Sequence, residues 1–167
     1  EQLNKKHSNH HFVPVYWMAS EDHDFEEINY FNLYDEKVTW DHQSGGAVGA
    51  LDTEGMEQLL ATLKTKMGVS KNAKKLIDLF SESYLQHKNL SAASRYLAQQ
   101  LFAEHGLVII DGNEKGLKKE FAYFAQKELF DNSSFSIINK TTEQLEFVGY
   151  NKQVHPREIN LFYIIKG

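Results

Sequence analysis

Residues 12–19, Phe-Val-Pro-Val-Tyr-Trp-Met-Ala, form an almost unbroken apolar run that gives way at once to Ser20-Glu21-Asp22-His23-Asp24. A run this short and this apolar predicts a strand covered on both faces, as in a parallel sheet, with pairing that begins near residue 15 because Pro14 has no amide donor. Further on, residues 91–106 predict a helix with Ser91 as N-cap, Ala93, Leu97 and Leu101 at four-residue steps, and Gly106 as its stop. Leu-Val-Ile-Ile-Asp at 107–111 follows directly as a strand. Helix, glycine, apolar strand and an acid at the strand's carboxyl end are the repeating half of an α/β fold built on a parallel sheet.

The remaining stretches fit around that frame. A helix is expected at about 22–30, with Phe25, Ile28 and Asn29 facing inward, then a strand at 36–41 and a glycine-rich loop at 42–51. Amphipathic helices separated by Gly68 fill 53–88 and read as a helical insertion. Another helix is expected at about 114–130, with Leu117, Phe121, Phe124 and Leu129 inward. Short strands are expected at 134–140, 144–150 and 159–165. The architecture expected is a three-layer α/β domain with a mainly parallel sheet and a helical insertion.

The 167 residues suffice for one sizeable core. The chain opens on Glu1 rather than Met and closes while still reading as a strand, so it is expected to be a fragment of a longer protein. A net charge of -5 gives no broad attraction to nucleic acid. No apolar run approaches the roughly 18 residues that span a bilayer, and no signal peptide is visible. With no Cys there is no disulfide, thiolate nucleophile or Cys-based metal site, which fits the cytoplasm.

In an open parallel sheet, ligands bind beyond the carboxyl ends of the strands, so residues 20–24 and Asp111-Gly112 are expected on one edge. Glu21, Asp22, Asp24, Glu26 and Glu27 each favour the positive end of the following helix by roughly 0.3–1 kcal/mol. Ser20 or Asp22 can cap that helix, and Asp24 and Glu27 have capping-box spacing. Helix electrostatics thus accounts for the acids but leaves His23 without a task. The same acids repel phosphate, so an amine, a sugar hydroxyl or a metal suits the turn better. Between two aspartates an imidazole can be held in one tautomer as a general acid or base. One His and three carboxylates can instead hold Mg²⁺ or Mn²⁺, and a plain solvated helix start is the third reading.

A second polar group, residues 153–160, offers Arg157 as the best single candidate for bidentate recognition of a carboxylate or phosphate, beside His155 and Asn160, or else an ordinary Arg–Glu surface pair. Other signals are weaker. Ser-Gly-Gly-Ala-Val-Gly at 44–49 lacks the Lys and Ser/Thr of a P-loop and reads as a flexible turn or ligand loop. His7, His10 and His11 read as solvated linker, and His42, His87 and His105 have no partner legible in the sequence.

Three stretches, "VPVYWMASEDHDFEEIN", "LFAEHGLVIIDGNEKGLK" and "VHPREINLFYI", occur in the order and at roughly the separations of the BshC family, the enzymes that add cysteine in bacillithiol synthesis. The chain resembles that family over most of its length. The resemblance implies a Rossmann-like core related to nucleotidyltransferases, interrupted by connecting segments and followed by a helical coiled coil that supports a homodimer of the full-length protein. Residues 1–167 are then part of the core domain, with the insertion at 53–88. A Gln- and Gly-containing segment upstream and the coiled coil lie outside them, and these residues alone are not expected to be active.

The activity implied is a cytoplasmic cysteine ligase that joins cysteine to the amine of glucosaminyl malate in the last step of bacillithiol synthesis. Its activating cofactor is open: a nucleotide such as ATP is one option, and a divalent metal is not excluded. The partners implied are those small molecules, with no nucleic acid and no membrane. Asp22, His23 and Asp24 are the catalytic candidates, binding the amine and taking its proton. Ser20, Glu21, Asp111, His155, Arg157 and Asn160 are the substrate-binding candidates. Among these, Asp111 would meet a ribose or sugar hydroxyl, while His155 and Arg157 would hold a malate carboxylate or a developing oxyanion, oriented by Asn160. Two competing readings are a metal-dependent hydrolase using the same turn and a non-catalytic binding or assembly domain.

Overall fold

The structure, a computed structural model, describes residues 1–43, 45–159 and 161. The chain divides into two compact units, Glu1–Glu114 and Lys115–Gly167.

In the first unit a short helix α1 (Gln2–Lys6) leads through extended chain into strand β1 (Val15–Met18). β1 pairs in parallel with β4 (Val108–Asp111), in register from Val15 opposite Val108 to Met18 opposite Asp111. Pro14 still takes part as an acceptor, its carbonyl receiving the Val108 amide at 3.0 Å. Coverage on both faces is not what the strand shows. Only Met18 of β1 is buried, while Val15, Tyr16 and Trp17 are exposed. Among the described residues β1 has one neighbouring strand, and a two-stranded ribbon is too narrow to bury both faces of an apolar strand.

The helix expected at 22–30 is a single turn, α2 (Phe25–Ile28), that buries Phe25 and leaves Ile28 exposed. It stops because Tyr30 already belongs to a strand. β2 (Tyr30–Leu33), which the sequence reading missed, and β3 (Glu36–Thr39), within the strand expected at 36–41, form an antiparallel hairpin with Tyr34 in the left-handed region at φ 55. The alternation of Phe31 and Leu33 inward with Tyr30 and Asn32 outward is the period-two signal of a half-buried strand. Next come α3 (Met56–Met67), ending at Gly68, and α4 (Lys71–Leu85), whose N-cap Ser70 Oγ accepts the Ala73 amide at 3.1 Å. α5 (Leu90–Phe102) packs on α4, as α4 packs on α3. A 3-10 turn (Ala103–His105) and Gly106, at φ 71, then turn the chain into β4.

The core of this unit lies between the hairpin, the one-turn helix and α3. Phe25, Val38, Trp40, Val48, Leu51 and Leu59 are buried together. Phe25 and Trp40 meet edge to face at 5.3 Å, an arrangement worth roughly 0.5–1.5 kcal/mol beyond the area it buries.

The second unit is helical. The single helix expected at 114–130 is two, α6 (Lys115–Glu120) and α7 (Ala122–Asp131), broken at Phe121. Leu117 is half-buried, but Phe121, Phe124 and Leu129 are exposed instead of inward, because short helices in a unit of this size have little to bury them against. The strands expected at 134–140 and 144–150 are instead one helix, α8 (Ser133–Phe147). Phe135, Ile138, Thr142 and Leu145 recur at three- and four-residue steps, so the helical period prevails over the local β-branched and aromatic content. Apart from residues 159 and 161, the strand expected at 159–165 lies outside the described residues.

Candidate functional site

Because β1 and β4 run parallel, their carboxyl ends open together, and the Gly112 amide extends the ladder by donating to Met18 O at 3.0 Å. Two residues beyond β1, Ser20 is buried at 5% exposure, with its hydroxyl donating to Asp111 Oδ1. The Asn113 amide is shared between Ser20 Oγ, at 3.1 Å, and Asp111 Oδ1, at 3.0 Å. From the other side Ser91, in the first turn of α5, donates to Asp111 Oδ2 at 2.5 Å. Arg95 follows one turn later on the same helix face. Its Nη2 lies 3.9 Å from Asp111 Oδ2, and its Nη1 donates to Ile109 O at 3.3 Å.

These groups line a cleft of about 370 Å³ that also takes in Gly49, Asn89 and Glu114. Burial pushes the Asp111 carboxyl up. Hydrogen bonds from Ser20, Ser91 and the Asn113 amide, with the Arg95 charge, outweigh it and hold the carboxyl below its ordinary value. Asp111 is therefore an ionised acceptor at neutral pH. Its Oδ1 already receives two donors, whereas Oδ2 receives one and keeps a lone pair for a ligand hydroxyl or ammonium.

A turn of 3-10 helix, Val48–Ala50, closes one wall. The Val48 amide donates to Asp22 O at 2.7 Å and the Gly49 amide to Ser20 O at 2.9 Å. The approach is so close that a Cβ on Gly49 would sit 2.5 Å from Ser20 Cβ and 2.9 Å from Ser20 O. Across the cleft mouth the Glu21 carboxylate lies over Gly112, where a Cβ would be 2.1 Å from Glu21 Oε2, and Trp17 Nε1 donates to Glu21 Oε1 at 3.4 Å.

The charged turn itself is open. Asp22 Oδ1 accepts the amides of His23, at 2.6 Å, and Asp24, at 3.3 Å, folding the turn around its own side chain. The His23 ring is 91% exposed, with Nδ1 3.5 Å from Asp22 Oδ1. Asp24 occupies the N-cap position of α2 without a side-chain capping bond, so neither the capping box nor a Ser20 cap forms. Ser20 turns to Asp111 instead. Among the described residues no three His, Asp or Glu side chains converge as a metal-binding cluster, so this turn does not form the centre that a metal-dependent hydrolase needs. The cleft's Asp111 and Glu114 carboxylates suit hydroxyls and ammonium better than phosphate, and Arg95 in the same lining is turned to Asp111 and Ile109 O.

The structure thus joins Ser20 to Asp111 and places Glu21 to Asp24 along the turn beside them. His155 and Arg157 belong to the second unit, and Asn160 lies outside the described residues. Sequence reasoning missed Ser91 as a donor to the carboxylate, because it took Ser91 as the cap of α5. That cap is Asn89, whose side chain accepts the Ala92 amide at 2.9 Å. It also missed Arg95. The legible signal was the four-residue step from Ser91 to Arg95, which puts both on one helix face.

The model for the N-terminal Rossmann-like domain of the bacillithiol biosynthesis family BshC matches residues 1–167. Similar relatives include BshC proteins provisionally named cysteine ligases. That of Flavobacterium johnsoniae is 49% identical over 98% of this chain, that of Flavobacterium psychrophilum 46% over 98%, and that of Christiangramia forsetii 42% over 98%. The chain spans 31%, 30% and 31% of the lengths of those three relatives.

Proposed function

The chain belongs to the BshC family of bacillithiol biosynthesis, with a Rossmann-like α/β fold, and on that premise we propose that it supplies the substrate-handling edge of a cysteine ligase. The reaction joins the carbonyl carbon of cysteine to the amine nitrogen of glucosaminyl malate. A carboxylate oxygen leaves with the activating group, for which a nucleotide such as ATP would serve, and the attacking ammonium must give up a proton. The observation that carries the reading is the convergence of Ser20 and Ser91 on an ionised Asp111 at the carboxyl edge of the parallel pair.

Asp111 Oδ2 accepts a sugar hydroxyl or the ammonium of the acceptor, and Ser20, Ser91 and Arg95 hold the carboxylate still while it does so. His23, solvent-facing and tethered beside the cleft by Asp22, takes the proton from the amine, with Asp24 and Glu21 adding negative potential that concentrates an ammonium there. For His155, Arg157 and Asn160 the role proposed is that of anchors for the malate carboxylates. A cytoplasmic location and a homodimer of the full-length protein complete the proposal. No helix among the described residues is long and apolar enough to cross a membrane.

The test is an assay of the full-length protein with cysteine, glucosaminyl malate and candidate nucleotides, read by mass spectrometry. Ligated product is expected, with Asp111→Asn raising KM for the aminosugar about tenfold or more. Absence of product with every nucleotide would defeat the reading.

A further inference from the structure

His42, which the catalytic proposal does not use, is fastened on both sides. Its ring is 11% exposed and packs, tilted by 47° with centroids 4.7 Å apart, against Trp40, a core residue, with Phe25 6.1 Å away. Nε2 meets Asp52 Oδ1 at 2.9 Å and Nδ1 meets Gln43 O at 2.7 Å, so both ring nitrogens face oxygen acceptors. Asp52 Oδ1 also accepts the Glu54 amide at 2.9 Å, and Trp40 Nε1 donates to Glu54 O at 2.8 Å. The His42 hydrogen bond, followed by that from the Glu54 amide, holds the Asp52 carboxyl below its ordinary value. Asp41 and Glu54 are the other charged groups lining the same hollow.

The position of this pair in the chain gives it a further consequence. Asp52 follows Leu51, whose carbonyl accepts the Leu90 amide at 2.8 Å at the start of α5. Leu51 in turn ends the 3-10 turn whose Val48 and Gly49 amides bond Asp22 O and Ser20 O. One short segment therefore touches both walls of the candidate cleft, the Ser20 turn and the α5 amino end, and its far end is tied to the core through Asp52 and His42.

We propose that His42 and Asp52 are positioning residues: their pairing sets where the Val48–Ala50 turn sits and thereby where Ser20 is presented to Asp111. Neither touches the reacting atoms. The kinetic part of this inference rests on the ligase reading, whereas the structural part does not.

The experiment compares the full-length protein with its His42→Phe and Asp52→Ala variants by hydrogen-exchange mass spectrometry and by the ligation assay. His42→Phe keeps a ring packed against Trp40 and loses the donor. Asp52→Ala removes the acceptor from an exposed position and so keeps the fold accessible to measurement should His42→Phe fail to fold. In either variant, exchange in peptides spanning 45–52 is expected to quicken about tenfold while α4 amides stay protected. KM for the aminosugar is expected to rise about tenfold with kcat within about twofold, and His42→Gln, which keeps one donor, restores part of the loss. Unchanged exchange at 45–52, or equal acceleration in α4, overturns the proposal. So does local acceleration with unaltered kinetics in an enzyme that makes product. If the unmodified protein makes no product, the ligase reading fails while the exchange data still decide whether the pair holds the turn.

Discussion

Asp111 and His23 sit at opposite extremes of environment, and their substitutions should separate stability from activity. Asp111→Ala removes the acceptor of two serine hydroxyls and a backbone amide, and should cost about 1–3 kcal/mol in urea or thermal unfolding. Asp111→Asn keeps an acceptor oxygen and should cost less while still losing the charge that would hold an ammonium. His23, with its ring almost wholly in solvent, should change stability by no more than about 0.5 kcal/mol when replaced by Ala, yet abolish product formation in the full-length protein. Full activity in His23→Ala would move the proton-accepting role elsewhere. At this scale the sequence showed which residue types stand at the strand ends, but not which of them pair. Ser20 reads equally well as a helix cap, and only the register of Met18 with Asp111 makes it a donor to that carboxylate.

The element that matters most to the site is the first turn of α5. Asn89→Ala should cost about 1 kcal/mol through the lost cap and should also loosen Ser91, two residues on. Asn89→Asp should restore both, since it keeps an acceptor for the Ala92 amide. Circular dichroism melts and the KM of the full-length enzyme would register the two effects separately. Elements with a strong period were legible in the sequence: α3, α4, α5 and β4 lie close to where the apolar spacing put them. Those that failed were short or doubly readable. β2 begins where the helix expected at 22–30 was to end, and its four residues are too short a run for the alternation of Phe31 and Leu33 to stand out beside Phe25 and Ile28, which are three apart as in a helix. α8 was divided into two strands on local composition, although its three- and four-residue steps run through the whole segment.

Across the whole molecule, Asp111 and Asp52 both have carboxyls held below the ordinary value of 3.8. The unfolded chain then binds more protons than the folded one around that pH. The stability they contribute is present above about pH 4 and is lost as the pH falls through 3.8 toward the folded-state values. Thermal unfolding followed from pH 6 to pH 3 should show this decline, and Asp111→Asn should flatten it; an unchanged slope would place the acid sensitivity in other groups. The extent of the sheet was not legible from the chain. An apolar strand announces that it needs cover on both faces but does not say where the cover comes from, and β1 has one strand beside it among the described residues.

The contact between Gly49 and Ser20 also bears on how this region tolerates genetic change. In a library saturated across residues 44–49 and selected for the folded, active protein, position 49 should return glycine alone, since a methyl group there collides with Ser20 side chain and backbone together. Gly45, with open space around it, should accept many residues. Drift would therefore blur the outline of the glycine-rich stretch while sparing position 49, where the backbone must pass, and Gly46, whose φ of 76 other side chains rarely adopt.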